Sequence, residues 1–307
     1  MTDRYSWACL LAGSFFAFSC LAGDGSREDA SSPRCSLEGS VSRSQGTLQF
    51  ELGNDEFGTW SKVEWPLDGI VGGMEGRVAW PLDRGRAFVL SARYGRSFSM
   101  NGTSRDWDWR PWDRPGLSDY SETDSSGTLQ TFDARAGFRF PVGRRVDLQF
   151  SVGYDQSMID LDDQNLTGSY DYGQTPVSYQ GPVDTYSADF SGFCFGGALA
   201  ARVADRLTLL AGAEAIVNLS VSADAEWLRS GDSFAQSANG TGLTVSGKAK
   251  YAIRKNLALT AQAAWVSQTA RDGHQSGTQD GIPYDSGILR NIEMEYVTAG
   301  IGVAVRF

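Results

Sequence analysis

The stretch "TSRDWDWRPW" brings together residue types that could do chemistry. Asp106 and Asp108 stand two positions apart among Trp107, Trp109 and Trp112. Two neighbouring carboxyl groups can form a catalytic pair. The same aspartates can also be solvated carboxylates at the start of a loop, beside an aromatic girdle at a lipid interface. The elements that carry the stretch decide between these two interpretations.

A second acidic pair, Asp224 and Glu226 in "VSADAEWL", ends a long segment of alternating apolar and polar residues. Side chains of a strand alternate between its two faces, so both residues share the face of Glu214 and are predicted to point inward. The alternation that precedes Asp106 and Asp108 aims them outward, unless a bulge near "NGTS" changes the register. Charged loop residues remain the alternative for the second pair.

The composition narrows the class of protein. The chain has 307 residues, a formal net charge of −10, 36 glycines and 12% aromatic residues. Phosphates would repel such an acidic chain, which argues against nucleic acid as a partner. High glycine and aromatic content suits strands and turns better than the helices of a typical helical enzyme.

An apolar–polar alternation of period two runs through most of the chain. In "VDLQFSVGY" the apolar residues are Val146, Leu148, Phe150, Val152 and Tyr154. Such segments indicate strands, and they exceed the usual length of about five or six residues in soluble proteins. Ten strands are predicted, at about 46–55, 59–82, 86–105, 127–142, 144–162, 183–203, 206–228, 237–253, 256–272 and 290–307.

The connections between these segments fall into two classes that alternate along the chain. Tight turns are predicted at 83–85, 142–145, 203–206 and 253–256, and long loops at 101–127, 161–183, 228–238 and 271–290. This is how outer-membrane barrels are built, and closure leaves no unpaired strand edge in lipid. The sequence therefore predicts an all-β fold, a ten-stranded antiparallel transmembrane β-barrel of the outer membrane with long extracellular loops. A soluble β-sandwich or lipocalin-like barrel is the alternative.

The domain organisation follows from the two ends of the chain. Residues 1–22 have the apolar run and small residues of a signal peptide. A polar, flexible lead-in is predicted at 23–44, followed by one barrel domain at 45–307. Past the signal, the sequence has no run of 18 apolar residues for a membrane-spanning helix. Cys35 and Cys194 are far apart and indicate neither a disulfide framework nor a metal site.

The order of several short motifs resembles the omptins, outer-membrane endopeptidases of Gram-negative bacteria. The matching motifs are "GTWSKVEW", "RDWDW", "TFDARAGFRF", "LQFSVGYDQSMI" and the closing "YVTAGIGVAVRF", and they span about residues 45–307. The resemblance implies a ten-stranded barrel with a peptide-cleaving groove at the extracellular rim. In the family, an Asp pair faces an Asp–His pair across this groove and holds the attacking water.

The family's catalytic positions fall on four carboxylates of this chain. They are Asp106, Asp108, Asp224 and Glu226, and Glu226 stands where the family has histidine. Four carboxylates around one groove repel one another and raise at least one pKa. Such a cluster could work like an aspartic-protease pair, bind a hard cation such as Ca²⁺, or be inactive.

The resemblance also implies substrate and lipid partners. Glu51 and Ser222 fall on substrate-binding positions, with less acid there than the family pattern has. No cofactor is expected, although lipopolysaccharide could be required, and a monomer in outer-membrane lipid is predicted. The alternatives to a peptidase are an inactive barrel that binds a surface ligand or has a structural role, and a small porin.

Other charged residues are given ordinary roles. The chain's only histidine, His274, and the acids Asp162, Asp163, Asp280 and Asp285 are predicted to be solvated loop residues. Charges inside a barrel need partners, so the arginines of the lumen are predicted to pair with interior acids. These arginines are Arg93, Arg135 and Arg139.

Overall fold

The computed structural model describes residues 32–54, 56–110, 116–279 and 281–307. The predicted signal peptide, Trp112 and Asp280 lie outside the described residues. Strands make up nearly all of the described chain, with one short 3₁₀ turn at Asp83–Gly85. No helix among the described residues has the length and apolar character to span a membrane.

The strands are long and follow one another along the chain. They are β1 (Arg34–Asn54), β2 (Gly58–Pro66), β3 (Gly69–Pro81), β4 (Ala87–Trp109), β5 (Leu117–Pro141), β6 (Val146–Tyr170), β7 (Thr175–Ser178), β8 (Pro182–Ala204), β9 (Leu207–Trp227), β10 (Asp232–Arg254), β11 (Leu257–Gln279) and β12 (Ile282–Arg306).

The sheet closes on itself as a ring with ten strand positions. β2 and β3 occupy one position, since both pair with β1 on one side and β4 on the other. β12 pairs with β1 along nearly its whole length, from the Ser36–Arg306 pair onward, and this pairing closes the ring. β7 lies outside the ring and pairs with β6. The prediction of a ten-stranded antiparallel β-barrel is confirmed.

The ring has two rims, which we name by the strand ends that form them. The upper rim contains Asn54, Trp109, Tyr170, Trp227 and Gln279, and the lower rim contains Pro81, Pro141, Ala204 and Arg254. β1 begins at the lower rim and β12 ends there, because the number of strand positions is even.

Predicted strand boundaries were wrong at the start of β1 and in the loops predicted at 101–127, 161–183 and 271–290, and composition is the common reason. β1 begins at Arg34, so residues 34–44 are paired strand and not a lead-in. The predicted loop at 101–127 is mostly strand as well, because β4 continues to Trp109 and β5 begins at Leu117. Both segments are rich in Ser, Gly and charge, which resembles loop composition. Backbone pairing with neighbouring strands stabilises them as strands all the same.

The lower half of the barrel is apolar outside and charged inside. Exposed apolar side chains on its exterior include Val41, Met74, Phe150, Val152, Phe193, Leu259 and Ile301. Inside, the Arg93 Nε donates to Asp133 at 2.7 Å, and an Arg135 guanidinium nitrogen lies 2.6 Å from a Glu214 carboxylate oxygen. The predicted pairing of Arg93 and Arg135 with interior acids is therefore confirmed. The buried Nε of Arg139 has no partner among the described residues.

The upper half of the barrel has the opposite arrangement. Its interior is one apolar cluster that includes Leu48, Leu129, Ile159, Phe190, Leu219, Val221, Ile292 and Met294. Within this cluster the Trp65 and Tyr186 rings stack with centroids 4.4 Å apart, and Phe50 packs against both. The exterior carries exposed polar side chains such as Ser220 and Ser222. The cluster fills the lumen, so the barrel has no wide channel.

On β4 and β9, a bulge between the halves changes which residues face inward. On β4 the pairing with β5 shifts between Arg96 and Met100, so that even-numbered residues face inward above it. On β9 the shift lies around Asn218, whose φ is 49°. Above Asn218 the odd-numbered residues are buried inside and the even-numbered residues are exposed.

Candidate acidic site at the upper rim

A cavity of about 430 Å³ opens at the upper rim, above the stacked aromatic rings. Carboxyl groups from β4, β5, β6 and β8 line it, together with aromatic side chains that include Trp65, Tyr120 and Tyr186. The lining carboxyl groups within these four strands are those of Asp106, Asp108, Asp119, Asp163 and Asp184. Charged groups from separate strands therefore converge on one enclosed, largely apolar space.

The bulge in β4 directs Asp106 and Asp108 into this cavity. Without the shift between Arg96 and Met100, both side chains would lie on the exterior face with Phe98. The predicted change of register is real, but it lies a few residues before the glycine of "NGTS". Asp106 is opposite Ser121 of β5 and Asp108 is opposite Asp119.

The Asp108–Asp119 pair is the first of two cross-strand acid pairs in the wall of this cavity. Like charges in this arrangement repel each other. Asp119 is compensated, because the Arg110 guanidinium donates to it at 3.0 Å and the Asp171 backbone N–H donates at 2.7 Å. These two donors hold the Asp119 carboxylate in place opposite Asp108, where it raises the pKa of Asp108.

The second cross-strand pair joins Asp163 of β6 and Asp184 of β8. Asp163 is buried and accepts hydrogen bonds from the Trp65 indole N–H at 2.9 Å and the Ser104 hydroxyl at 2.7 Å. The other oxygen of Asp163 accepts no hydrogen bond from the remaining described residues. Because Asp163 contacts Asp184, we infer that the Asp184 carboxyl group is its donor. Two carboxyl groups can contact each other in this way only when one of them carries a proton.

The pKa values in the cavity are raised, chiefly by burial. All of these groups lie above the apolar exterior band and outside the membrane-spanning part of the strands. Burial raises the pKa of Asp184 to about 8, and the neighbouring Asp163 adds to the shift. Burial raises the pKa of Asp108 to about 6, although a hydrogen bond from the Ser61 hydroxyl lowers it. Burial and the adjacent Asp108 raise the pKa of Asp106 well above its usual range.

Asp106 has a buried carboxyl oxygen without a hydrogen-bond donor in the described part of the chain. Among the described residues, none donates to its buried Oδ1 atom. A buried carboxylate without a donor is costly, so the neutral acid is favoured. Asp106 and Asp108 therefore form a pair in which one carboxyl group keeps its proton to a higher pH than the other.

The structure does not bring the other sequence-predicted site residues into the cavity. Asp224, Glu226 and Ser222 are exposed on the exterior of β9, because the shift at Asn218 turns even-numbered residues outward. The prediction that Asp224 and Glu226 point inward was wrong for this reason. Glu51 also faces away from the cavity, since Phe50 beside it is buried inside, and it accepts a hydrogen bond from Thr59 at 3.2 Å.

Three further predictions about charged residues are corrected by the strands. His274 lies on β11, not in a loop, and its imidazole contacts the Asp285 carboxylate of β12 on the exterior. Asp163 is buried in the cavity wall and is not a solvated loop acid. Asp162, its neighbour, is exposed as predicted but lies on β6.

Sequence reasoning missed Asp119, Asp163 and Asp184, although a signal for them exists. On β6 the exterior residues Phe150, Val152 and Tyr154 are even-numbered, so alternation places Asp163 inside if the strand continues. The same argument holds for the other two acids on β5 and β8. Strand ends that were predicted too early hid this signal.

Among the described residues, no group of three or more His, Cys, Asp or Glu side chains is placed to hold a metal ion. The carboxyl groups of the cavity are arranged in pairs across strands and are partly neutral. The arrangement suits proton transfer between acids, and it gives a strong negative potential at the upper rim.

Comparison with known proteins defines the class of barrel. The outer membrane protease OmpT from Escherichia coli has a similar structure, with a TM-score of 0.79 at 15% sequence identity over 89% of this chain and 97% of that chain. The predicted resemblance to the omptins is confirmed at the level of the fold. No family model matches the chain, and no curated protein matches it.

Other outer-membrane barrels match much less well. The translocator domain of the autotransporter NalP from Neisseria meningitidis has a TM-score of 0.35 at 11% identity, over 99% of this chain and 98% of that chain. A major outer membrane protein from Thermus thermophilus has a TM-score of 0.35 at 10% identity, over 90% of this chain and 100% of that chain. The fold of this chain is therefore similar to that of OmpT.

Proposed function

We propose that this chain is an outer-membrane endopeptidase whose upper-rim cavity opens outside the cell. One observation carries the proposal: the buried Oδ1 of Asp106 has no hydrogen-bond donor among the described residues, and the carboxyl group of Asp108 lies beside it with a pKa near 6. A base works best when its pKa lies near the working pH, and a neighbouring neutral acid completes the pair.

The two acids have complementary roles in the proposed reaction. At near-neutral pH Asp108 is ionised and Asp106 is protonated. Asp108 takes a proton from a water molecule as the water oxygen bonds to the carbonyl carbon of the peptide. Asp106 gives its proton to the carbonyl oxygen, which forms a tetrahedral intermediate. When the C–N bond breaks, Asp108 returns its proton to the leaving amine and Asp106 recovers its own from the hydroxyl group.

The remaining acids position this pair and shape its field. Asp119, held by Arg110, keeps a negative charge opposite Asp108 and thereby helps to keep the pKa of Asp108 raised. Asp163 and Asp184 share a proton across the cavity, and the Trp65 indole anchors them. Neither pair needs the exterior residues Asp224 and Glu226.

The test uses refolded full-length protein in detergent, with and without lipopolysaccharide, and a panel of fluorogenic peptides. Hydrolysis should rise through about pH 6 as Asp108 ionises and fall at higher pH as Asp106 loses its proton. Asp108→Asn and Asp106→Asn should each lower kcat by about 10²-fold or more. Asp224→Asn, a matched loss of one exterior carboxylate, should leave the rate unchanged. Absence of cleavage at every pH, with folded protein, would refute the proposal.

A binding protein without catalysis is the second candidate. The observation in its favour is that the chain's only histidine, His274, lies on the exterior and not in the cavity. In that case peptides with positive charge would bind the acidic cavity without being cut. Asp108→Asn would then weaken binding, measured by fluorescence anisotropy, while no product appears. A porin has little support, because the apolar cluster fills the lumen of the upper half.

A further inference from the structure

The lower rim has a charge opposite to that of the whole chain. The net charge of the protein is −10. The turns and strand ends of the lower rim nevertheless carry an array of exposed cations, which we call the basic ring. Its members are Arg84, Arg86, Arg144, Arg145, Arg202, Arg206, Arg254, Lys255 and Arg306. The exposed acids of the same turns are Asp83 and Asp205.

Several arginines of the basic ring have no carboxylate partner among the described residues. The ion pairs found there, such as Arg93–Asp133, involve neither Arg84, Arg144 nor Arg206. Arg86 lies over the Phe140 ring at 5.9 Å, which leaves its charge uncompensated too. The ring is therefore a concentrated positive field at one end of the barrel.

An apolar side chain accompanies the cations in every turn of the lower rim. The exposed apolar residues are Leu82 at 45%, Val142 at 62%, Val203 at 47% and Ile253 at 41%. Each stands within three residues of an arginine of the basic ring, and Phe307, 69% exposed, follows Arg306 directly. The pattern is repeated at each turn, whereas the upper rim is dominated by acids.

This combination fits the boundary between lipid tails and headgroups. Apolar side chains at the edge of the exterior band can stay in the acyl region while long cationic side chains reach the phosphates. A soluble anionic polymer would also bind these cations, but it has no apolar surface to contact the apolar side chain of each turn. The ring also follows the circumference of the barrel, as a surrounding lipid layer does.

We propose that the basic ring binds the headgroup phosphates of an anionic phospholipid leaflet and so anchors the lower rim in it. Guanidinium groups donate charge-assisted hydrogen bonds to phosphate oxygens. The acidic cavity then lies at the far end of the barrel, away from this leaflet. The proposal holds whether or not the cavity cleaves peptides.

The experiment measures lipid selectivity at the lower rim. The full refolded chain is reconstituted in phosphatidylcholine vesicles, with a brominated phosphatidylglycerol or a brominated phosphatidylcholine as the quenching guest. Trp80, 36% exposed beside the first lower turn, is the local reporter. We expect phosphatidylglycerol to associate about tenfold more strongly than phosphatidylcholine at this position, and the preference to shrink at high salt.

Matched variants separate the effect of the basic ring from the effect of the total charge of the protein. Arg84→Gln/Arg86→Gln should bring the preference close to one, while Arg271→Gln/Arg290→Gln, the same charge loss near the upper rim, should keep it. Gel mobility with and without heating shows whether the first variant folds. If it does not fold, the salt dependence of the lipid preference of the unaltered chain tests the proposal. Equal association of both lipids, or equal loss in both variants, overturns the proposal. Tighter binding of a double-stranded oligonucleotide than of phosphatidylglycerol also overturns it, in favour of a polymer.

Discussion

In the lower half of the barrel, Phe150 and Ile301 face outward and Arg135 and Glu214 face inward. In the upper half, Ser222 faces outward and Phe190 faces inward. The same continuous strands carry both patterns, so the surrounding solvent decides which face is apolar. Lipid around the lower half favours an apolar exterior, and water around the upper half favours an apolar core.

The reversal has a consequence for chemistry. Acids in the lower lumen sit next to cations and are neutralised by ion pairs, such as Asp133 with Arg93. Acids in the upper cavity lie above an apolar cluster and have few cations near them, so burial raises their pKa values. Burial next to an apolar cluster therefore leaves the upper cavity with several carboxyl groups whose pKa values are raised.

The largest expected effect tests the charged interior of the lower half. Arg135 bridges Asp133 at 3.1 Å and Glu214 at 2.6 Å, and its side chain is 12% exposed. Arg135→Met leaves Glu214 without its partner and Asp133 with Arg93 alone, and should lower the free energy of unfolding by roughly 3–5 kcal/mol. Urea unfolding in detergent, followed by tryptophan fluorescence, measures it. Arg105→Met, which breaks the exposed pair with Glu122, should cost far less, because solvent screens that pair.

A pair of lysine substitutions tests the exterior of each half. Val152 is 64% exposed in the apolar band, so Val152→Lys should destabilise the barrel in lipid vesicles by about 2–4 kcal/mol if it lies near the bilayer midplane. Ser222→Lys places the same charge on the exterior of the upper half, where water surrounds it, and should change stability by less than about 0.5 kcal/mol. Equal costs at both positions would contradict the division into two halves.

The alternation of apolar and polar residues predicted the fold correctly, but it predicted only some residues of the site. The lower half follows one register from turn to turn, so the apolar faces around Phe150 and Ile301 could be read directly from the sequence. The inward direction of Asp106 and Asp108 depends on where the register of β4 changes. Nothing in "FSMNGTS" or around Asn218 distinguishes a bulge from a regular strand, because a bulge adds one residue and needs no particular side chain.

The error in strand length had a separate cause. The upper ends of the strands are polar on the exterior and rich in small residues, so their composition matches that of loops. Continuing the alternation of β6 places Asp163 inside, but the predicted strand ends one residue earlier, at 162. Aspartates across from each other, such as Asp163 and Asp184, become visible as a pair only when the register between strands is known.

A smaller effect tests the proton on Asp184. Its pKa in the folded chain is about 8, raised from 3.8, so folding favours the protonated form. The resulting stability is fully present below about pH 4 and is lost as the pH rises toward 8. Asp184→Asn keeps a neutral donor toward Asp163 and should flatten this decline, with a gain on the order of 2 kcal/mol at pH 8. Urea midpoints from pH 4 to 9 measure it, with Asp224→Asn as the unaffected control.

The smallest expected effect concerns the residue that the omptin resemblance places at the histidine position. Glu226→His gives the chain the side chain that the resemblance implies, but the shift at Asn218 turns position 226 to the exterior. An imidazole there cannot reach a peptide bound beside Asp106 and Asp108, so peptide hydrolysis and its pH profile should not change. Ser233, which pairs with Glu226 across β9 and β10, is the corresponding exterior position on the next strand. A gain in hydrolysis with Glu226→His, absent in Ser233→His, would mean that β9 turns its upper end inward when a peptide binds.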